Sequence, residues 1–281
     1  MEYFKFVSDR GTIEFSLVSP YKMTSHENLN GAETQSSEMR FINSDGAEYE
    51  NILYEPDELT IKGFIRGESK HTLPYLRANL FKMLNGKDKG ILYYTCENEE
   101  YFTEVLTLRP SVGTRIQNVL DFTAKFLRLA PLWKKSHLNK ADVYKITKKL
   151  KTTFTLPCMF SQRTSAVSVV NNGDTDSPCV IKIKCTLAPV EAGENVITIK
   201  NTVTQKKLEI NYSPSAGEQI VIDSEKCTVE SLKEGNIINR MKTGSEFLYL
   251  PPGVNEIEAS VSNTDYEITA HIEYYGVMLG V

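Results

Sequence analysis

The sequence lacks several features that would assign it to a membrane or secreted class. No segment approaches the ~20 consecutive apolar residues of a membrane helix, and charges are scattered through the apolar residues of the N-terminal segment MEYFKFVSDRGTIEF, unlike a secretory signal. Cysteine is scarce: the five residues are widely spaced, odd in number and contain no Cys-x-x-Cys pair. This usage is typical of reduced thiols in a cytosol, so we expect a protein made and kept in solution without a membrane partner.

The motifs of common catalytic and cofactor sites are missing as well. No Gly-x-x-x-x-Gly-Lys-Ser/Thr, Gly-x-Gly-x-x-Gly or Gly-x-Ser-x-Gly motif is present. The histidines fall in separate segments, none four residues from another histidine or a cysteine, namely His26, His71, His137 and His271. We therefore predict no enzyme, no metal site and no cofactor. A glycan hydrolase is the weakest alternative, because no carboxylate pair stands out.

The chain as a whole has no excess of positive charge, but one of its segments does. The formal net charge is −4 and the pI about 5.7, which argues against a protein that mainly grips phosphate backbones. Between Arg128 and Lys151, however, eight basic residues meet one acidic residue, Asp142. This stretch is either a solvated linker or a basic surface that faces an acidic partner or passing DNA. Its lysines are Lys134, Lys135, Lys140, Lys145, Lys148, Lys149 and Lys151.

The length of 281 residues predicts two domains, 1–150 and 151–281, with a boundary segment at about 130–152. The first domain is predicted to be mostly β, because Leu120, Phe122, Ala124 and Phe126 alternate with polar residues and similar runs precede them. One main helix is expected in this domain. Its signals are a Thr72 cap, Pro74 in the first turn, a stripe of Leu73, Leu76, Leu80 and Leu84, and a stop at Gly86.

Residues 21–57 are predicted to form a long loop or exposed arm, because the segment is polar and rich in Ser, Asn, Glu and Gly.

The second half is predicted to be a β-sandwich or jelly roll without helices. Eight short strands recur about every ten residues, separated by turns: 166–170, 180–185, 196–200, 208–212, 220–223, 247–250, 257–261 and 268–275. Because aromatic rings on such a scaffold can stack on sugars, a module that binds bacterial surface glycans is the main alternative function. The candidate rings are Tyr212, Phe247, Tyr249, Tyr266, Tyr274 and Tyr275.

Three ordered motifs in this half resemble the distal tail proteins of long-tailed phages. They are the turn VNNGDTDSP at 170–178, the strand entry GEQIVID at 217–223 and the turn FLYLPPGVNEI at 247–257. Upstream, Leu129-Ala130-Pro131-Leu132-Trp133 is similar to the Asp-Pro-x-Trp that closes the first domain of the family, with Ala130 in place of Asp. The motifs are structural turn signals, carried by Asn172, Gly173, Asp174, Pro251, Pro252, Gly253 and Asn255.

The resemblance implies a structural protein of the virion tail tip, made in the cytoplasm of the bacterial host. The first domain would be the belt that assembles into a hexameric ring, and the second would be a galectin-like β-sandwich. The implied partners are the tail tube protein, a tail-associated lysin or fibre protein and, in some members, a receptor-binding protein. DNA would only pass through the lumen. The polar arm at 21–57 would reach across to the next copy.

Overall fold

The computed structural model describes residues 2–29, 31–39, 48–69, 71–148, 161–164, 166–189, 194–263 and 265–281. The chain divides into two compact units, Met1–Ser136 together with Met278–Val281, and His137–Val277. The division lies inside the segment 130–152. Residues 137–150, which the sequence prediction assigned to the first domain, contain a strand that pairs within the second unit, Asn139–Lys148 with Glu267–Tyr274.

The elements of the first unit are β1 (Tyr3–Ser8), β2 (Gly11–Phe15), β3 (Tyr21–Glu27), β4 (Thr34–Met39), β5 (Glu48–Tyr54), β6 (Asp57–Arg66), α1 (Thr72–Met83), β7 (Lys89–Cys96), β8 (Glu99–Thr107), β9 (Ser111–Ile116), β10 (Val119–Arg128) and β11 (Trp133–Lys135). After Ser136 the strands are β12 (Asn139–Lys148), β13 (Ser161–Thr164), β14 (Ala166–Asn171), β15 (Ser177–Leu187), β16 (Val196–Asn201), β17 (Lys207–Asn211), β18 (Gln219–Asp223), β19 (Thr228–Ser231), β20 (Gly235–Asn236), β21 (Tyr249–Leu250), β22 (Gly253–Val261), β23 (Glu267–Tyr274) and β24 (Val277–Met278), with a 3-10 helix at Ile238–Arg240.

The first unit is built on a sheet that closes on itself. Its strands follow the order β8-β7-β1-β2-β3-β6-β10, and β10 also pairs with β8, which completes the ring of seven strands. Strand β9 extends the sheet beyond β10, while β11 and then β24 extend it beyond β8. The inward face is apolar because these strands alternate with period two. It includes Phe4, Phe6, Ile13, Phe15, Leu59, Ile61, Leu92, Leu120, Phe122 and Phe126, all buried.

One α-helix occurs within the described residues, and it covers the predicted position. Leu73, Leu80 and Leu84 are buried as expected, and Gly86 follows with a φ of +80°. The predicted Thr72 cap is wrong: His71 occupies the cap position without a side-chain bond, and the Thr72 hydroxyl donates to Ser69 O at 2.9 Å. The predicted fold class, mainly β with one main helix, is confirmed.

The prediction of a loop over residues 21–57 is wrong in the described parts of that segment. Strand β3 belongs to the closed sheet, where it pairs with β6, and β4 pairs with β5 as a two-stranded hairpin. These strands were not predicted because β3 and β4 carry few apolar side chains. The hairpin pairs with no other strand among the described residues.

The second unit is a sandwich of two antiparallel sheets, as predicted. One sheet follows the order β13-β12-β23-β15-β18-β19-β20, with β21 beside β15, and the other follows β14-β22-β16-β17. Both sheets contribute to one apolar core, which includes Ile181, Ile183, Ile197, Ile199, Ile222, Ile257, Ile268 and Ile272. The eight predicted strands correspond to observed ones, whereas β12, β13, β19 and β20 were not predicted.

Candidate functional site

The first turn motif of the second unit is held by one buried side chain, Asn171. Its Nδ2 donates to Thr175 O at 3.0 Å and to Leu250 O at 2.7 Å, and its Oδ1 accepts from Gly173 N at 2.9 Å and Ser177 Oγ at 3.0 Å. These four bonds use the full hydrogen-bonding capacity of the amide. Asn171 therefore ties the turn at 172–174 to the strand that precedes Pro251 and Pro252.

Gly173, in this turn, lies against the backbone of Val277. A Cβ on Gly173 would be 2.5 Å from Val277 O and 2.6 Å from Val277 N. Asp174 N donates to the same carbonyl at 2.8 Å, and Val277 N donates to Ser177 Oγ at 3.2 Å. Glycine is required here by close backbone approach, whereas the side chains of Asn172 and Asp174 are exposed.

The second turn motif is organised by Asn255, which is fully buried. Its Nδ2 donates to Pro251 O at 2.8 Å and to Gly253 O at 3.1 Å, while its Oδ1 accepts from Asn201 Nδ2 at 2.9 Å. Gly253 has a φ of +93°, a backbone conformation that favours glycine. Sequence reasoning singled out Asn255 but missed Asn201 and Asn171, whose roles depend on contacts between distant strands.

Glu218, in the strand-entry motif, is a buried carboxylate that accepts three hydrogen bonds. Its Oε1 accepts from Tyr212 OH at 2.6 Å and from Ser231 Oγ, and its Oε2 accepts from Ser215 N at 2.7 Å. Burial alone would raise the pKa of Glu218, but the bonds from Ser231, Tyr212 and Ser215 outweigh it and lower the pKa below its ordinary value. The carboxylate fixes the turn before β18.

The structure does not bring the predicted lysines together as one patch within either unit. Lys134 and Lys135 lie half-buried on β11 of the first unit, and Lys135 Nζ is 3.9 Å from Glu99. Lys140, on β12 of the second unit, pairs with Glu273 at 2.9 Å, and Lys182 pairs with the same carboxylate at 2.6 Å. In the register of β12 with β13, Lys145 lies opposite Thr164 and Lys148 lies opposite Ser161. Lys149 and Lys151 lie outside the described residues.

Arg128 differs from the other basic residues because it is fully buried. Its Nε donates to Asp57 Oδ1 at 2.6 Å, its Nη2 donates to Asp57 Oδ2, and Nη2 also contacts Asn28 O at 3.1 Å. The guanidinium carbon lies 5.2 Å from the ring centroid of Trp133. Arg128 thus belongs to the core of the first unit, and counting it toward a basic surface was wrong.

The aromatic residues proposed as sugar platforms are not presented to solvent. Tyr212, Tyr266 and Tyr274 are buried, and Phe247, Tyr249 and Tyr275 are half-buried. The hydroxyl of Tyr249 donates to Ser224 O at 2.8 Å and that of Tyr274 to Val170 O at 3.0 Å. Stacking on a sugar requires a free ring face, whereas Tyr212, Tyr274 and Phe247 pack in or against the apolar core of the sandwich.

Two grooves flank α1 in the first unit, and sequence reasoning found neither. The larger, about 860 Å³, lies between α1 and the segments that carry Val18, Lys22, Arg66 and Val119. The smaller, about 320 Å³, is lined by Arg77, Phe81, Arg115 and other residues. Large apolar side chains at the larger groove are exposed, Val18 by 75% and Tyr75 by 74%. These exposed apolar side chains make the larger groove a candidate interaction surface.

The described part of the chain contains no group of three or more His, Cys, Asp or Glu side chains placed to hold a metal ion. Its cysteines Cys96, Cys179, Cys185 and Cys227 are free thiols, and burial raises the pKa of Cys179 to about 12. No helix in the same residues is long and apolar enough to cross a membrane.

Two family models of phage tail proteins match the chain, one in each unit. The model of the siphovirus-type tail component, C-terminal domain, matches residues 172–274, and the model of the phage tail protein RIFT-related domain matches residues 8–127. No curated protein sequence matches the chain.

Solved structures share the fold along the full length. The chain is 12% identical to the Dit protein of phage SPP1, called a paradigm of the hub adsorption apparatus in phages that infect Gram-positive bacteria, with 99% of each chain covered and a TM-score of 0.67. It is 11% identical to a chain of the phage P2 baseplate in its activated conformation with Ca, with 97% of this chain and 98% of that chain covered and a TM-score of 0.52. The two family models, both of phage tail proteins, identify the chain as a distal tail protein of siphovirus-type phages, a structural component of the virion tail tip.

Proposed function

We propose that six copies of the chain form a ring that serves as the hub of the tail tip. The ring joins the tail tube protein to the tail-associated lysin or fibre protein, and the genome leaves through its lumen. The observation that carries this proposal is the shared fold over 99% of the chain with a protein described as a hub. Six copies of 31.7 kDa give about 190 kDa.

The first unit has the surfaces that a ring-forming belt domain requires. Hairpin β4–β5 is unpaired with the other described strands, and isolated two-stranded hairpins are marginally stable in water. The exposed side chains beside α1 form a second surface of this kind. A closed ring would cover both, and Lys134 and Lys135 would then be candidates to face the lumen or an acidic partner.

The second unit serves as a galectin-like platform that binds other tail proteins rather than glycans. The outward residues of the four-stranded sheet are short or charged, such as Ser168, Thr198, Glu256 and Glu258, apart from the exposed valines Val170 and Val254, with no aromatic ring among the residues described. The polar groups of Asn171, Glu218 and Asn255 are engaged in holding turns. This supports a scaffold without catalytic activity.

Light scattering coupled to size-exclusion chromatography, with electron microscopy, tests this function. We expect a particle of about 190 kDa with sixfold symmetry, and binding to the purified tail tube and fibre proteins. A chain that stays monomeric at every concentration and binds neither partner would contradict the proposal. Saturable binding to cell-wall glycan, lost in Tyr249→Ala, would favour the glycan-binding alternative.

A further inference from the structure

Three asparagines of the chain are followed directly by glycine, namely Asn30, Asn85 and Asn172. In such a pair the backbone nitrogen of the glycine can attack the side-chain carbonyl carbon of the asparagine, because glycine has no Cβ to block the approach. The attack forms a succinimide ring and expels the amide nitrogen as ammonia. Water then opens the ring and leaves aspartate or isoaspartate. Asn30 lies outside the described residues, so the geometry is compared for the other two pairs.

Hydrogen bonds hold both reacting groups of the pair at Asn85. The Oδ1 of Asn85 accepts from Lys87 N at 2.8 Å and from Asp88 N at 3.1 Å, so the carboxamide is fixed in a turn. Gly86 N, the nucleophile of this pair, donates to Thr107 Oγ1 at 3.3 Å. Deamidation of Asn85 therefore requires that the bonds of the carboxamide and the bond of the attacking nitrogen are both broken.

At Asn172 only the attacking nitrogen is held. The side chain of Asn172 is exposed, and its carboxamide makes no hydrogen bond within the described residues. Gly173 N, the nucleophile, donates to Oδ1 of the buried Asn171 at 2.9 Å. The nitrogen must leave this oxygen before it can attack. Deamidation of Asn172 is thus opposed by a single hydrogen bond, the one that Asn171 accepts.

We propose that Asn172 is a modification site, where a succinimide forms, and that Asn171 protects it. Asn171 is suited to this role because its own side chain is fixed: its Nδ2 donates to Thr175 O at 3.0 Å and to Leu250 O at 2.7 Å. When the bond from Gly173 N to Asn171 is lost, Gly173 N attacks Cγ of Asn172. The proton of that nitrogen passes through solvent to the leaving amide, and ammonia departs.

The modification would disturb the contact between this turn and Val277. Isoaspartate places one extra methylene in the backbone, whereas Gly173 lies so close to Val277 that a Cβ would be 2.5 Å from the Val277 carbonyl oxygen. Asp174 N donates to the same oxygen at 2.8 Å. A lengthened backbone cannot keep both contacts, because the space around them is already filled. The bond from Asn171 therefore preserves the turn as the protein ages.

Peptide mapping by mass spectrometry tests the proposal on the full-length chain, incubated in mildly alkaline buffer below its thermal midpoint. The free peptide with the sequence of residues 168–178 gives the rate of amide loss without the fold. We expect Asn172 to lose its amide about tenfold more slowly in the folded chain than in the peptide, since a hydrogen bond of ~1.4 kcal/mol corresponds to a factor of ten. In the same digest, Asn172 should react faster than Asn85.

Two alanine variants separate the effect of this bond from the general stability of the turn. Asn171→Ala removes the acceptor of Gly173 N, so amide loss at Asn172 should rise by about tenfold, towards the rate in the peptide. The matched control Ser177→Ala removes a different bond to the same Oδ1, 3.0 Å long, and leaves the bond from Gly173 N in place. Its rate should stay close to that of wild type. Circular dichroism verifies that both variants fold.

Equal rates of amide loss at Asn172 in the folded wild-type chain and in the peptide would overturn the proposal, because the bond to Asn171 would then give no protection. A folded Asn171→Ala chain that reacts no faster than Ser177→Ala would overturn it as well, and so would a wild-type chain that loses its amide faster at Asn85 than at Asn172. The comparisons within the wild-type chain and with the peptide need no variant, so they decide the matter even where Asn171→Ala does not fold.

Discussion

The buried ion pair between Asp57 and Arg128 gives the sharpest stability prediction. Asp57→Asn keeps the shape of the side chain but removes the charge that balances the fully buried guanidinium. Breaking a buried pair by removing one partner costs about 3–5 kcal/mol. For a unit of this size, about 3 °C per kcal/mol predicts a thermal midpoint lowered by about 9–15 °C.

The assay uses the only tryptophan of the chain. Trp133 is fully buried in the first unit, with Arg128 against its ring, so its fluorescence follows the unfolding of that unit alone. The control is the exposed pair Lys125–Glu58, which joins the same two strands at 2.6 Å. Glu58→Gln should change stability by less than about 1 kcal/mol.

A loss below about 1 kcal/mol in Asp57→Asn would refute the reasoning, since it would mean that Arg128 is not dependent on a buried counter-charge. Replacing both partners by apolar residues should recover most of the lost stability, because that change also removes the cost of burying the charges.

Three further predictions concern single positions. The pKa of Glu218 is lowered in the folded state. The carboxylate therefore contributes to the free energy of unfolding above its unfolded pKa of about 4.3, and this contribution is lost as the pH falls through the folded value. Calorimetry should show the difference in stability between wild type and Glu218→Gln shrinking below about pH 4.3. Gly173→Ala, whose Cβ would meet Val277, should lower the stability of the second unit by about 1–3 kcal/mol in chemical unfolding, and an unchanged midpoint would contradict the close approach. Gly63→Ala would place its Cβ 2.1 Å from the carbonyl oxygen of Lys22, so we expect little folded protein in a one-dimensional NMR spectrum; a native-like spectrum would contradict the β3–β6 contact.

Regular alternation made much of the fold predictable. The buried face of β10 and the eight strands of the second half follow from apolar residues at period two and from turn signals between them. Strand β12 could not be found in this way, because its lysines suggest a solvated linker. In the structure, Lys140 lies opposite Glu273 across the strand pair, and this long-range ion pair stabilises the strand.

The candidate sites were less predictable than the fold. The turn motifs were found because Gly, Asn and Pro report local backbone geometry. The burial of Arg128 depends on Asp57, 71 residues away, and the grooves depend on how α1 lies on the sheet. Such features arise from tertiary packing and leave no local pattern in a single sequence.

The path of the chain makes the second unit an insertion in the first. The chain leaves the first unit after Ser136 and returns to it at Met278. The strands at the two crossings, β11 and β24, are neighbours in one sheet, and neighbouring strands lie about 4.8 Å apart. Any module whose own ends lie close together could be spliced between these two strands without disturbing the closed sheet of the first unit. The second unit could therefore be exchanged by recombination as a cassette while the first unit is kept.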